Sequence, residues 1–559
     1  MAGLMGFALH PLDWIVIGVY FALIVAIGLW AGRKVKGTDD YFLGDRAFSV
    51  WLVIGQAFGV GTHAEMPVSL AGKVYQSGYA GIWYQWKNLF ITPFYWLLAP
   101  MFRRFQRTTT GEVYEDRYGS WMGLVYTIFA LSYFIFNMGA MLKGAGKLVA
   151  AASGGAVTPN TVVLVMTGTF LIYSFVGGLV SAAYTDFVQS FFIIALSFLL
   201  IPLGLAEIGG FTGVRETLTP QMLSMVTPGD VGVFTICMLT INGLIGIVAQ
   251  PHILASVGTG HNEYSCRMGM AAGNFVKRFC TIGWALAGII VAVMLIQRGA
   301  PALADPEDAF GYATRELLFP GAVGLMIASV LAANMSTGSA FTVDGGALFT
   351  QNLYRRFIKK NETDKHYLWA GRIAGVTMTT LGVLFGLFVG SVLQAFLFTE
   401  TIAAFMGISM FAAVSWRRST RWGAFASLLT SSGVFFWLTY SEFGVLLNWQ
   451  ADNFGIAMVV GFLTVWIVSL MTQPESNERL DPFYARLNRS TYTDPKTGDE
   501  HEVTEKGHDL LVVHLFDMGW SKGVGHVWNR FRVDIQGLVL SFGVVAALIA
   551  LAKAILYLP

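Results

Sequence analysis

Charge is scarce in this 559-residue chain: Asp, Glu, Lys and Arg together make up 13%, about half the roughly 25% usual in soluble domains. Length alone would accommodate about three or four soluble domains, but so few charges cannot cover them. Cysteine is almost absent. Its three copies, Cys237, Cys266 and Cys280, supply no disulfide framework and no CxxC metal spacing. The formal net charge is only +2, which gives no case for a polyanion-binding protein and makes nucleic acid an unexpected partner. The sequence contains no GxxxxGK[ST], HExxH or GxSxG motif, so neither a nucleotide-driven motor nor a familiar enzyme constellation is expected. What it has in abundance is apolar residues, 55%, and glycine, 63 copies. That balance excludes collagen, disorder, a secreted mini-protein and a cytosolic enzyme. It describes an all-α integral membrane protein whose first partner is the lipid bilayer.

A bilayer-spanning helix needs about 20 mostly apolar residues. About fourteen segments meet that length, near 13–32, 49–70, 80–102, 121–149, 160–178, 183–207, 230–256, 271–296, 318–350, 367–390, 394–415, 422–441, 453–472 and 534–556. The first apolar run is a full span without a basic lead-in, so no cleaved signal peptide is expected. Cations cluster on alternate loops: Arg33, Lys34, Lys36 and Arg46; Arg103, Arg104, Arg107 and Arg117; Arg355, Arg356, Lys359, Lys360 and Lys365; Arg417, Arg418 and Arg421. The positive-inside rule places these loops in the cytoplasm, both termini outside, and the chain in the plasma (inner) membrane. The spans divide into a core over 1–472, a polar cytoplasmic loop over 473–533 and a last helix over 534–559. The middle of that loop, DPKTGDEHEVTEKGHD, reads as irregular, and the apolar run Leu510–Phe516 is suited to lie on the membrane surface.

Two spans carry helix breakers. The second reads VIGQAFGVGTHAEMPVSL and the seventh INGLIGIVAQPHIL. Irregular backbone at membrane depth is tolerated only where it lines a cavity, and a pair of interrupted spans five apart points to a carrier's midplane site. The ninth span, SVLAANMSTGSAFTVDGGALF, holds adjacent hydroxyls at Ser336 and Thr337, with Ala333 one turn earlier. Hard alkali cations take oxygen ligands; the competing reading is hydroxyls bonded back to the preceding turn. Asp344 follows on nearly the same face and suits a cation's exit path. Other ionisable groups in the spans are Glu65, Lys87, Asp186 and Lys277, functional candidates by their cost in lipid. Asp186 also fits a helix N-cap at the start of the sixth span. Lys143, Lys147 and Lys277 fit side chains snorkelling to an interface, and His63 and His252 fit hydrogen-bonded core residues.

These residues resemble those of the sodium:solute symporters. DYFLGDRAFSVWLVIGQAFG is similar to that family's FLAGRSLSWW stretch, and GLVSAAYTDFVQ to its GG-x-x-A-V-x-x-TD-x-x-Q signature. AQPHIL is similar to the QPHIL of proline carriers and the LPHIL of acetate-type carriers. AANMSTGSA through FTQNLYRR resembles the A-x-x-S-[ST] helix ending in FT-x-D-[IL]-YK, and LDPFYARL resembles a motif of the last inner loop. The resemblance implies two inverted five-helix repeats, about 49–207 and 230–415, whose first helices are broken, plus flanking helices. It implies a sodium site from the carbonyls of Gly59, Thr62 and Ala333 and the hydroxyls of Ser336 and Thr337. Asp186 and Ser339 match a second cation site, although Ala340 stands where a second serine is expected. The solute pocket falls on His63, Met66, Gln85, Asn88, Gln250, His252 and Lys277. Met66 and Gln85 replace the glutamine and glutamate of sugar carriers, and Gly61 replaces an aspartate of proline carriers. Lys87 and Lys277 would suit a small carboxylate.

The expected function is sodium-coupled symport of a small organic solute by alternating access, with Na+ as the coupling ion and no enzymatic step. Two alternatives stay open at this point. One is a proton-coupled carrier using Asp186, Glu65 or His63; the other is a membrane solute sensor without transport.

Overall fold

The computed structural model describes residues 9–33, 48–227, 231–494, 500–503 and 509–558. Lys34, Lys36, Arg46, Pro495 and the first part of DYFLGDRAFSVWLVIGQAFG lie outside the described residues. Among those described, nine helices are long and apolar enough to cross a membrane, or ten if one bent pair counts as a single span. The protein is a multi-pass helical membrane protein.

Helix α1 (Pro11–Gly32) starts with proline at its first position and a reciprocal cap between His10 and Asp13. Asp13 is buried and accepts from the amides of His10 (3.0 Å), Gly321 (2.6 Å) and Gly324 (2.8 Å). One carboxylate therefore satisfies two helix starts, as helix N-termini favour. The second predicted span is two helices, α2 (Val50–Gly59) and α3 (Glu65–Ser77), separated by a short unwound stretch. The third, predicted over 80–102, is also interrupted: short turns over Tyr79–Ile82 and Trp83–Trp86 precede α4 (Thr92–Phe105). Pro93 near its start supplies no amide for an upstream carbonyl.

Helices α5 (Thr110–Tyr118) and α6 (Ser120–Ala152) meet at Gly119, whose φ of 95° is a conformation glycine adopts cheaply. Helical backbone runs from Pro159 to Ile208 as α7; its apolar parts, Pro159–Ile172 and Leu179–Ile208, fall where the sequence predicts two spans, near 160–178 and 183–207. Asp186 therefore sits inside a helix and is no N-cap.

The second broken span is α8 (Val233–Gly246) and α9 (Pro251–Val257), bent by 65°. Gln250 is extended (φ −60°, ψ 125°), as the residue before a proline prefers. Helices α10 (Glu263–Gln297) and α12 (Ala322–Leu348) form the centre, after the short α11 (Ala309–Leu317); α12 continues as a wider-wound turn over Phe349–Ile358. Both central helices are enclosed on nearly all sides, which accounts for their lack of an apolar stripe. Helices α13 (Asp364–Phe388), α14 (Val392–Ser415), α15 (Arg421–Phe443) and α16 (Ala451–Met471) follow.

Asn334 of α12 fixes the first break. Its Oδ1 accepts from the Ala64 amide (2.7 Å), and its Nδ2 donates to the Met141 carbonyl of α6 (2.6 Å). Asn334→Ala strands a buried donor and acceptor, a loss of about 1–3 kcal/mol for each. The expected result is a lower unfolding midpoint in detergent, with Asn334→Asp recovering the Ala64 bond alone.

The segment after α16 is more ordered than its composition predicts. It forms α17 (Asn477–Leu487) and a hairpin of β1 (Ser490–Thr493) and β2 (Glu500–Val503), antiparallel with Ser490 opposite Val503. Arg103 Nη2 donates to Thr493 Oγ1 (2.6 Å), and the Thr493 amide donates to the His261 carbonyl (2.9 Å). Leu510, Val512 and Val513 are buried in the protein core, so this run packs on the protein rather than lying on a membrane surface. The final helix, α18 (Arg532–Ile555), is held by Asp534, which pairs with Arg267 (2.6 Å) and accepts from the Leu511 amide (2.8 Å).

Several cations read only as orientation markers are structural. Arg117 is fully buried and donates to the carbonyls of Ala413 (3.0 Å) and Ser419 (3.0 Å). Arg104 pairs with Glu263 (2.7 Å) and donates to the Leu487 carbonyl (2.8 Å). Lys147 does not simply snorkel: it bridges Asp305 (2.8 Å) and Glu307 (2.5 Å). Beyond the spans, burial alone would push the Glu475 carboxyl up, but bonds from Arg421 (2.6 and 2.9 Å) and Arg479 (2.9 Å) hold it below its ordinary value. A depressed folded value stabilises the protein above the unfolded carboxylate value of about 4.3 and loses that contribution as pH falls through the folded value. Glu475→Gln is therefore expected to lower the unfolding midpoint at neutral pH. The gap from wild type should close only at acid pH, read by melting both proteins across a pH series.

Candidate functional site

Both helix breaks and α12 meet in the core. The α2 helix ends at Gly59, and Val60 to Ala64 carry the chain across to α3. Thr337 Oγ1 lies 3.2 Å from the Val60 carbonyl, 3.3 Å from that of Ala333 and 3.5 Å from that of Gly59. A single hydroxyl proton cannot serve all three carbonyls, which have other donors as well: Gly59's accepts from the Thr62 amide (3.0 Å) and Val60's from His63 Nε2 (3.0 Å), each leaving a second lone pair. Ser336 Oγ is fully buried and has no hydrogen-bond partner. A side chain at Gly59 would place its Cβ 3.0 Å from Asp186 Cβ and 3.1 Å from Ser336 Oγ, so any larger residue would press α2 away from α7 and α12 by a few tenths of an ångström. Asp186 is fully buried, and neither carboxylate oxygen is hydrogen-bonded.

The structure thus gathers Gly59, Ala333, Ser336 and Thr337 and adds Val60 and Asp186. The Thr62 hydroxyl donates to the Phe58 carbonyl (2.6 Å), and Thr337 also reaches the carbonyl of Val60, which was not among the expected ligands. Ser339 is bonded to Ser174 Oγ (2.7 Å) on α7, while Asp186 faces Gly59 and Ser336. Asp344 is buried further along α12.

A second space lies between the two broken spans and α10. It measures about 60 Å³, which at roughly 10–15 Å³ per water holds a handful of waters. His63, Met66, Asn88, Gln250, His252 and Lys277 all line it. Gln85, the seventh expected member, does not. It is buried nearby, with its side-chain amide unpartnered and its carbonyl accepting from Arg278 (3.2 Å). Lys277 donates to the Gly61 carbonyl in the first break, so it does not snorkel to a membrane face. His252 is stacked on Tyr133, with ring centroids 6.1 Å apart, and its Nδ1 has no partner.

Two charged residues of this space were not among the sequence candidates. Glu400 of α14 pairs with Lys87 (3.4 Å) and accepts from Gln250 (3.1 Å). Arg278 lines the cavity next to Lys277. Both sit within apolar stretches, so the rule that flagged Lys277 would have found them.

Two broken spans around a buried polar space, with a cluster of oxygens beside it, define a secondary membrane carrier. The Sodium:solute symporter family model matches residues 41–431, and the chain belongs to that family. Relatives include the osmoregulated proline transporter OpuE of Bacillus subtilis, 24% identical over 76% of this chain and 88% of the relative. Another is the sodium/glucose cotransporter of Vibrio parahaemolyticus, 23% identical over 75% and 83%. The fold is shared with the substrate-bound outward-open state of a Na+-coupled sialic acid symporter, at a TM-score of 0.70 and 17% identity over 84% of this chain and all of that one.

Proposed function

We propose that the protein is a sodium-coupled symporter that imports a small organic solute by alternating access. The observation that carries this reading is the oxygen cluster: the unpartnered Ser336 hydroxyl, the Asp186 carboxylate and Thr337 against the carbonyls of Gly59, Val60 and Ala333. Such a set of oxygens suits a hard monovalent cation. Sodium held there would tie α2 to α12 and fix the break that borders the solute space. Sodium and solute would then strengthen each other's binding by the same factor, because linkage is reciprocal. The transport core is 1–472, with repeats about 49–207 and 230–415, a cytoplasmic segment 473–533 and both termini outside.

The purified protein tests this directly. Sodium chloride is expected to raise its unfolding midpoint above that in equal potassium or choline chloride, since a ligand of the folded state stabilises it. Equal midpoints in all three salts would count against sodium. Asp186 favours one other reading, a proton-coupled carrier, because its unpartnered carboxylate could take a proton in place of the ion. Uptake into proteoliposomes driven by a pH gradient without sodium would select that reading.

A further inference from the structure

We infer that the transported solute is an organic anion, recognised through a carboxylate by Lys277 and Arg278. The inference rests on the solute-site reading above and follows from counting charge around the cavity. Four buried charged or titratable groups are already balanced. Lys87 and Glu400 form an ion pair at 3.4 Å. His63 contacts the Glu65 carboxylate through Nδ1 and the Val60 carbonyl through Nε2 at 3.0 Å. A carbonyl only accepts, so Nε2 carries a proton; a second proton must lie between Nδ1 and Glu65. Imidazolium with carboxylate, or imidazole with carboxylic acid, sums to zero either way.

Lys277 and Arg278 remain. Among the described residues neither has a carboxylate partner. Lys277 donates only to the Gly61 carbonyl, which leaves two ammonium hydrogens. Arg278 donates to the Gln85 carbonyl (3.2 Å) and Asn274 Oδ1 (3.4 Å), and its Nε is buried with no partner. Both side chains line the cavity and are only 4% and 1% exposed. Uncompensated cations at this depth are expensive. An anionic ligand supplies the missing countercharge, and the second hydrogens of Arg278 Nη1 and Nη2, beside the Lys277 ammonium, suit a carboxylate. His252 lines the same space. The Tyr133 and Phe396 rings leave apolar wall for a short carbon skeleton.

The test is a thermal-shift and calorimetric screen of the purified full-length protein in sodium chloride. The probes are acetate, propionate, lactate, pyruvate, succinate and benzoate, each against its primary amide. At least one carboxylate is expected to stabilise the protein while its amide does not, and Lys277→Met and Arg278→Gln are each expected to weaken that binding tenfold or more. Lys277→Arg, which keeps the charge, should retain most of it. A retained sodium shift in each variant shows that it is folded. Stabilisation by amides or sugars with none by any carboxylate, or unweakened carboxylate binding in both variants, overturns the inference. A sodium shift without carboxylate binding leaves the sodium reading standing and removes this one; carboxylate binding without a sodium shift does the reverse.

Discussion

Replacing Ser336 and Thr337 together with alanine is expected to abolish sodium-stimulated uptake and the sodium-dependent rise in unfolding midpoint, while the protein still inserts and folds. Folding should survive because neither hydroxyl is the main tie across this region. Asn334 holds the break through the Ala64 amide and the Met141 carbonyl, and both positions are buried where a methyl is easily accommodated. The loss should be large for sodium alone. At one hundred times its dissociation constant a ligand stabilises the folded state by about 2.7 kcal/mol, and all of that disappears with the site. The single variants separate the roles. Thr337→Ser keeps an oxygen facing Gly59, Val60 and Ala333 and should keep sodium dependence. Ser336→Ala removes the unpartnered hydroxyl and should weaken sodium binding without affecting thermal stability in potassium. Undiminished sodium-stimulated uptake in the double variant would sink the proposed site.

Much of this was legible in the sequence because membrane burial makes exceptions conspicuous. Glycine and proline within apolar runs located both breaks at Gly59–Ala64 and Ile247–Gln250. Adjacent hydroxyls in an apolar helix located Ser336 and Thr337. Six of seven predicted pocket residues line one cavity, since residues beside a break must face whatever the break opens onto. What escaped was long-range pairing. Nothing local says that Asn334 reaches Ala64, 270 residues away in sequence, or that Asp186 faces Gly59 and Ser336 rather than capping a helix. Arg104 and Arg117 were legible as loop cations, yet their burial depends on carbonyls that distant helix ends present.

The Lys87–Glu400 pair gives the other large expected effect. Lys87 is fully buried in the interrupted third segment and lies over the Phe396 ring at 4.9 Å, so water does not stand ready to replace its partner. Glu400→Ala leaves a buried ammonium, and Lys87→Met leaves a buried carboxylate that keeps its hydrogen bond from Gln250. Removing one member of such a pair costs about 3–5 kcal/mol, whereas replacing both with apolar residues is often neutral. Each single variant is therefore expected to lower the unfolding midpoint strongly, and Lys87→Met with Glu400→Met should return it close to wild type. A double-mutant cycle of midpoints checks this, with coupling near the size of either single effect. Additive losses would show that the two charges do not compensate one another. The cycle also bears on the solute, because Glu400→Ala alone adds a third uncompensated cation beside Lys277 and Arg278. That variant should therefore be stabilised by a carboxylate more than wild type is, and the double variant, whose balance is unchanged, should respond as wild type does.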